Sequence, residues 1–127
     1  MVRDDAYFKS ITEQIIGSAY IVAKQLGYGF LEKVYENALA HELKKSGLKV
    51  EGQVPIKVYY DEIVVGDYIA DLLIEEEIIV ELKSAKNLEN IHLAQCLNYL
   101  KATGKKLGLL INYGADKVHV KRVVNGL

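Results

Sequence analysis

The sequence lacks the features that mark disulfide scaffolds, cysteine-rich zinc sites and membrane spans. Among its 127 residues are one cysteine, Cys96, one proline and no tryptophan. A lone cysteine excludes an internal disulfide and a multi-cysteine zinc site. No apolar run approaches the roughly 18 residues that a membrane helix needs, and the acidic start MVRDDAYFKS is not typical of a signal peptide. We therefore expect a cytoplasmic protein that does not act at a membrane.

Strong positive charge is also missing, because the formal net charge is −1. A protein that binds nucleic acid through charge alone is usually clearly basic, so that class is disfavoured. The basic residues are nevertheless unevenly spread toward the C-terminus. They form two groups: Lys101, Lys105 and Lys106, then Lys117, Lys121 and Arg122. These groups indicate either a local positive face or an ordinary solvated surface, and the sequence leaves both open.

The chain length suits one domain of ordinary size, which we place over residues 1–127. Hydrophobic periodicity of about 3.6 residues predicts helices, and alternating or continuous apolar runs predict strands. The helices are predicted at residues 5–26, 31–45 and 88–103. The strands are predicted at residues 54–60, 63–74, 78–84, 106–114 and 117–124. The resulting order α-α-β-β-β-α-β-β indicates an α/β sandwich around a mixed sheet.

Charged residues interrupt the apolar stretch ADLLIEEEIIVELKSA at residues 70–85. If residues 75–77 form a three-residue hairpin loop, Asp71 lies opposite Glu81. Opposed residues share one face of a sheet, with Cβ atoms about 4.5–5.5 Å apart. One face of the hairpin is then wholly apolar, and the other carries Asp71, Glu81 and Lys83 at the end far from the loop. This pattern predicts a polar pocket at the edge of a covered sheet.

Two opposed carboxylates destabilise a strand pair unless something offsets their charge. A divalent cation can do so, because Mg²⁺ favours carboxylates together with waters and substrate phosphates. Lys83 lies two residues after Glu81 on the same face, where its ammonium group could offset charge on a phosphate. The spacing alone also fits a simple surface pair between Glu81 and Lys83, so both interpretations stay open at this point.

The same stretch resembles the signature of a known nuclease superfamily. ADLLIEEEIIVELK has the D…(D/E)xK form of the PD-(D/E)XK nucleases, which share the restriction-endonuclease-like fold. Ala70 stands where the superfamily name has proline, a position that varies widely among these nucleases.

Two further motifs resemble the GxxExxY protein family of that superfamily. GFLEKVYE at residues 29–36 matches the pattern through Gly29, Glu32 and Tyr35. HLAQCLNYLKATGKKLGLLINYG at residues 92–114 resembles that family's HxxQxxxYL segment and the strand that follows it. RVVN near the end also fits, so the resemblance covers roughly residues 10–125.

This resemblance implies an α-β-β-β-α-β core, with a mixed sheet flanked by helices and an extra N-terminal helix. Asp71 and Glu81 would bind Mg²⁺ or Mn²⁺, and Lys83 would be the catalytic lysine. Glu32 resembles the helical acid that completes the metal site in many members. Gln95 resembles a glutamine that several members use near the scissile phosphate.

Other interpretations of some of these residues compete with a role in the site. Glu32 lies in the first turn of its helix, where the macrodipole favours any acid. His92, Gln95 and Tyr99 form one stripe of the third helix, which faces the pocket only if that helix packs over the charged end of the sheet. Glu36 is expected in solvent and Cys96 in the core.

The resemblance favours a metal-dependent phosphodiester hydrolase acting on nucleic acid, with DNA and RNA both open. The alternative is a non-catalytic module on the same fold that binds nucleic acid or protein, either as a homodimer or with a partner protein. A two-carboxylate glycosidase would also suit a separation of about 5 Å. The nearby lysine and the lack of tryptophan for sugar stacking argue against it.

Overall fold

A computed structural model of the protein describes residues 5–126; residues 1–4 and residue 127, the ends of the predicted domain, lie outside it. The helices are α1 (Asp5–Leu26), α2 (Glu32–Lys45) and α3 (Asn90–Thr103). The strands are β1 (Val50–Tyr60), β2 (Ile63–Ile74), β3 (Ile78–Lys83), β4 (Leu107–Asn112) and β5 (His119–Val124). This is the predicted order of elements. Within residues 5–126, no helix has the length and apolar character needed to cross a membrane.

The five strands form one mixed sheet in the order β1-β2-β3-β4-β5. β3 and β4 are parallel and the other neighbours are antiparallel. Parallel neighbours need a crossover connection, and α3 supplies it. From α2 to β4 the chain therefore runs α-β-β-β-α-β, as expected, with α1 added before this core and β5 after it.

Helices cover both faces of the sheet, so β3 is buried on both sides. On one face α1 and α2 pack on the apolar side of the β2–β3 hairpin, with Leu72, Ile74, Ile78, Val80 and Leu82 in the cluster. On the other face α3 packs through Cys96, Tyr99 and Leu100 on Leu73 and Ile79. The two strand faces predicted for the hairpin thus correspond to the two apolar layers of the molecule.

The β2–β3 hairpin has the predicted register around the loop 75–77. Ile74 pairs with Ile78, Leu73 with Ile79 and Leu72 with Val80. These three pairs fix which side chains share a face, because a slip of one residue would reverse every side chain.

The β1–β2 ribbon departs from the prediction near Gln53. β1 begins at Val50 rather than at residue 54, and Gln53 adopts a φ of +54° inside the strand. Val50 packs on the α1–α2 side, whereas Val54 and Ala70 pack on the α3 side. Strand alternation would put all three on one side. The ribbon therefore turns over at Gln53, and its outer half lies against α3.

The burial of Glu36 in α2 also differs from the sequence-based expectation. Glu36 was expected in solvent, but it is only 6% exposed. It accepts hydrogen bonds from Lys33 Nζ at 2.6 Å and Gln53 Nε2 at 2.9 Å. The prediction was wrong because the β1 residue that covers Glu36 lies 17 positions away along the chain.

Candidate active site

The two acids of the predicted pocket meet where the strand ladders are interrupted. The ladder between β2 and β3 stops at the pair Leu72–Val80, and the ladder between β1 and β2 skips Asp71. The main-chain N–H of Asp71 donates instead to Glu81 Oε2 at 3.1 Å, and Leu82 N–H donates to Asp71 Oδ2 at 2.8 Å. Each carboxylate thus takes a main-chain hydrogen bond from the opposite strand.

Glu81 is 5% exposed and is the most buried of the three acids of the site. Burial, a hydrogen bond shared with the Asp71 carboxyl and the charge of Asp71 raise the pKa of Glu81 to about 9. Lys83 lowers the pKa of Glu81 by a smaller amount. A buried acid beside a carboxylate needs either a proton or a cation. The raised pKa therefore favours the protonated form of Glu81 at neutral pH when no cation is bound.

Glu32 reaches the same place from the first turn of α2. The main-chain N–H of Ser84, directly after β3, lowers the pKa of the Glu32 carboxyl. Burial raises the pKa of Glu32, the charge of Lys83 opposes that rise, and the charge of Asp71 adds to it. Four of the site residues that the sequence analysis named (Glu32, Asp71, Glu81 and Lys83) therefore interact electrostatically with one another.

Gln95 joins this group from α3. Its Oε1 accepts a hydrogen bond from Lys83 Nζ at 3.4 Å, and its Nε2 donates to the Tyr99 hydroxyl at 3.1 Å. α3 therefore does pack over the charged end of the sheet, so Gln95 and Tyr99 face the pocket. His92 does not take part in this chain of bonds. Its Nδ1 accepts from Glu89 N–H at 3.0 Å, which caps the start of α3.

The GxxExxY pattern has a physical explanation in the turn before α2. The Tyr35 hydroxyl donates to Gly27 O at 2.6 Å and accepts from Phe30 N–H at 3.2 Å. Gly29 has a φ of +110°, a conformation that residues with a Cβ rarely adopt. Tyr35 and Gly29 thus shape the turn that leads into Glu32.

Asn112 supports the site but was not identified from the sequence. It is fully buried at the end of β4, where its Oδ1 accepts from Ala85 N–H at 2.9 Å and from Gly114 N–H at 3.0 Å. Its Nδ2 donates to Ala85 O at 2.8 Å. These bonds fix the chain directly after Lys83. The available signal was a single amide that closes the otherwise apolar run LGLLIN.

Comparison with known proteins identifies the family. The family model of the PD-(D/E)XK nuclease superfamily matches residues 9–123, nearly the whole chain. The chain belongs to this superfamily. Two solved structures share the fold of this PD-(D/E)XK protein, each with a TM-score of 0.56. No curated protein matches the sequence.

The first of these structures is the crystal structure of SSO0001, with 17% sequence identity; the match covers 100% of this chain and 71% of that chain. The second is an alkaline exonuclease, LHK-Exo, from Laribacter hongkongensis, with 13% identity; the match covers 98% of this chain and 72% of that chain. At these identities the likeness shows the fold alone. The expected restriction-endonuclease-like fold is therefore confirmed.

PD-(D/E)XK nucleases generally use divalent metal ions. Within residues 5–126, no three His, Cys, Asp or Glu side chains are grouped so that they could hold a metal. Mg²⁺ does not need such a cage, because one or two carboxylates, waters and substrate phosphates usually bind it. Asp71 and Glu81 supply two hard oxygen donors at a buried position whose proton a cation could replace. Their chemistry fits the ion.

Proposed function

We propose that this PD-(D/E)XK chain is a metal-dependent phosphodiester hydrolase of the GxxExxY type that acts on nucleic acid. The observation that carries the proposal is the convergence of the Asp71 and Glu81 carboxyl groups with Lys83 and Glu32 beside them. The superfamily assignment supports nuclease chemistry. A single domain over residues 1–127 would contain all of these groups.

Each residue has a distinct role in this proposal. Asp71 and Glu81 would hold Mg²⁺ or Mn²⁺. Glu32, expected from the sequence as a further metal ligand, is not grouped with them closely enough to bind the same ion directly, so it would act through a bound water. When bound, the metal would supply an activated water and a polarised phosphate. Lys83 would offset the negative charge that develops on the phosphate. Gln95 would orient the Lys83 ammonium, since its own amide is held by Tyr99.

The test is cleavage of end-labelled DNA and RNA, single- and double-stranded, with Mg²⁺, with Mn²⁺ or with EDTA. We expect Asp71→Asn, Glu81→Gln and Lys83→Met each to reduce the metal-dependent rate by about 100-fold or more, as loss of one group that stabilises the transition state does. Glu76→Gln and Lys44→Met remove an exposed acid and an exposed amine elsewhere, so their rates should match the wild type. Wild-type rates in Asp71→Asn and Lys83→Met would refute the site.

A binding module that does not cut nucleic acid is the second candidate. The observation in its favour is that main-chain donors and a shared proton already satisfy the Asp71–Glu81 pair without metal. Such a module would act as a homodimer or on a partner protein. Calorimetry with Mn²⁺ and Mg²⁺ at pH 8 separates the two: no metal binding, together with retained oligonucleotide binding, would favour the module.

A further inference from the structure

A groove of about 780 Å³ lies between α3 and the outer half of the β1–β2 ribbon. We call it the α3 groove. Its ribbon wall includes Lys57, Tyr59 and Tyr68, and its helix wall includes Gln95, Tyr99 and Lys101. The groove exists because the ribbon turns over at Gln53 and so faces the helix. No residue that the function above uses, other than Gln95 and Tyr99, lines it.

We propose that the α3 groove binds an unpaired strand of nucleic acid beside the candidate active site. This inference rests on the proposed function and adds to it the form of the substrate. Pockets of about 300–1,000 Å³ hold one small organic ligand. The groove therefore suits one or two nucleotides of a single strand and is too small for a base-paired duplex.

The groove is continuous with the acidic site. Gln95 lines the groove and accepts the hydrogen bond from Lys83, and Tyr99 lines it and accepts the hydrogen bond from Gln95. A strand whose phosphate lies beside Lys83 must leave the site in some direction. The groove offers a path along α3 that begins at the catalytic side chains themselves.

The groove walls have the chemistry of a single-strand site. Tyr59 is 61% exposed and Tyr68 is 47% exposed, so both rings are available to bases. The Tyr68 ring lies against Tyr99, with centroids 5.6 Å apart, which holds it at the groove wall. Aromatic rings stack on every base whatever its sequence, and lysines contact the phosphates between stacked bases.

Gly66 sets the position of the Tyr68 ring. A Cβ at Gly66 would lie 3.1 Å from Tyr68 Cε2 and 3.6 Å from Val58 Cβ. A side chain there would displace the ring. Gly66 itself lines the groove, so its missing side chain also leaves room for a ligand.

Charge contributes less than stacking in this groove. Lys57 and Lys101 are its two amines, and Lys57 is already paired with Asp67 at 3.0 Å. Each phosphate contact on a single strand gives a slope of about −0.7 in log K against log salt. The two groove lysines therefore give a slope of about −1.4, and a phosphate beside Lys83 would bring it to about −2.1, which is still shallow for a nucleic-acid binder.

Binding can be measured without cleavage. We would follow the fluorescence anisotropy of labelled 12-residue oligothymidylate, oligouridylate and a 12-base-pair DNA duplex in EDTA. The wild type should bind a single strand at least about 10-fold more tightly than the duplex, and the DNA and RNA arms identify the sugar it prefers. Tyr68→Leu should weaken single-strand binding about 10-fold, within the range for loss of one stacked base, while Tyr68→Phe keeps it.

Tyr60→Leu is the matched control, since Tyr60 is 70% exposed on the same ribbon but does not line the groove; its binding should equal the wild type. If Tyr68→Leu loses its fold by circular dichroism, the salt slope and Lys101→Gln decide instead. Equal affinity for duplex and single strand, or unchanged binding in Tyr68→Leu and Lys101→Gln, would overturn the inference.

Failure of this inference is distinguishable from failure of the proposed function. Metal-dependent cleavage by a protein that shows no preference for single strands would refute only the proposed role of the α3 groove. Single-strand binding that depends on Tyr68, without cleavage, would refute the proposed hydrolase and support the proposed single-strand site. Sedimentation at several protein concentrations adds one more outcome: a dimer that Tyr68→Leu dissociates, with no oligonucleotide bound, would make the groove an interface between copies and refute the proposal.

Discussion

The Asp71 main-chain N–H donates to the Glu81 carboxylate at 3.1 Å, across a gap where the two strands no longer pair. Leu82 N–H returns a bond to the Asp71 carboxylate at 2.8 Å. The interruption of the ladder is therefore part of the site, because it frees main-chain donors that would otherwise bond to a neighbouring strand. The backbone holds both acids in place before any ligand arrives.

The metal-free protein should lose stability as pH rises. The pKa of Glu81 is about 9 in the folded protein against 4.5 for an ordinary glutamate, so the folded state binds the extra proton between these values. Its contribution is complete below about pH 4.5 and declines through pH 9. One proton gives a slope of up to about 1.4 kcal/mol per pH unit. Urea unfolding in EDTA at pH 6, 7 and 8 measures it.

Glu81→Gln should flatten that slope, because the amide does not titrate. Glu76→Gln is the control, since Glu76 is an exposed residue of the same hairpin. Equal slopes in Glu81→Gln and the wild type would contradict the assignment of the raised pKa to Glu81.

Divalent metal should stabilise the protein most at alkaline pH. The ion competes with the proton that Asp71 and Glu81 share, and metal ligands must be deprotonated. A metal at about 100 times its dissociation constant adds about 2.7 kcal/mol to the free energy of unfolding. Thermal melts with Mn²⁺ should show a larger rise in Tm at pH 8.5 than at pH 6.5. A rise of the same size in Asp71→Asn would place the ion elsewhere.

Tyr35→Phe should destabilise the protein by about 0.5–1.5 kcal/mol, because it removes the hydrogen bonds of the Tyr35 hydroxyl to Gly27 O and from Phe30 N–H. We also expect slower cleavage, since the same turn delivers Glu32. Tyr113→Phe is the matched variant: its ring stacks on Tyr35 and is kept, but its buried hydroxyl donates to Ala19 O on α1 at 3.0 Å and makes no bond to that turn. It should lose similar stability in urea and keep the wild-type cleavage rate. Equal rates for the two variants would separate Tyr35 from the site.

Gly108→Ala should cost about 1–3 kcal/mol by overpacking. The new Cβ would lie 2.8 Å from Cys96 Sγ, at the contact between β4 and α3. Cys96→Ala removes that sulfur, so the cost of Gly108→Ala in this background should shrink by more than about 0.5 kcal/mol. Gly17→Ala is the control, because its Cβ meets nothing within 4 Å on helix α1, and there alanine should stabilise. Additive effects of the two changes would contradict the contact.

Local patterns predicted the elements well where a single rule governs them. The predicted bounds of α1 and β2 match the structure. The predicted register of the β2–β3 hairpin matches as well, because strand alternation and a short loop together fix the pairing. Glu32, Asp71, Glu81, Lys83 and Gln95 were all named from the sequence, and the structure brings them together. Their catalytic and metal-binding roles stay predictions.

The misses share one cause, which is contact between segments distant in the chain. The burial of Glu36 depends on Gln53, and the early start of β1 at Val50 depends on pairing with the distant strand β2. The α3 groove needs the turned-over ribbon and α3 side by side. Periodicity describes one element at a time, so it could not reveal any of these relationships.

The bond from the Tyr113 hydroxyl to Ala19 O joins positions 94 residues apart. The Tyr113 ring also stacks on Tyr35, with centroids 4.4 Å apart. Helix α1 is thereby tied to α2 and to the residue directly after β4, both next to the candidate active site. A chain shortened to the α-β-β-β-α-β core would expose that aromatic pair, which packs in one cluster with α1, and we expect such a chain to be less stable.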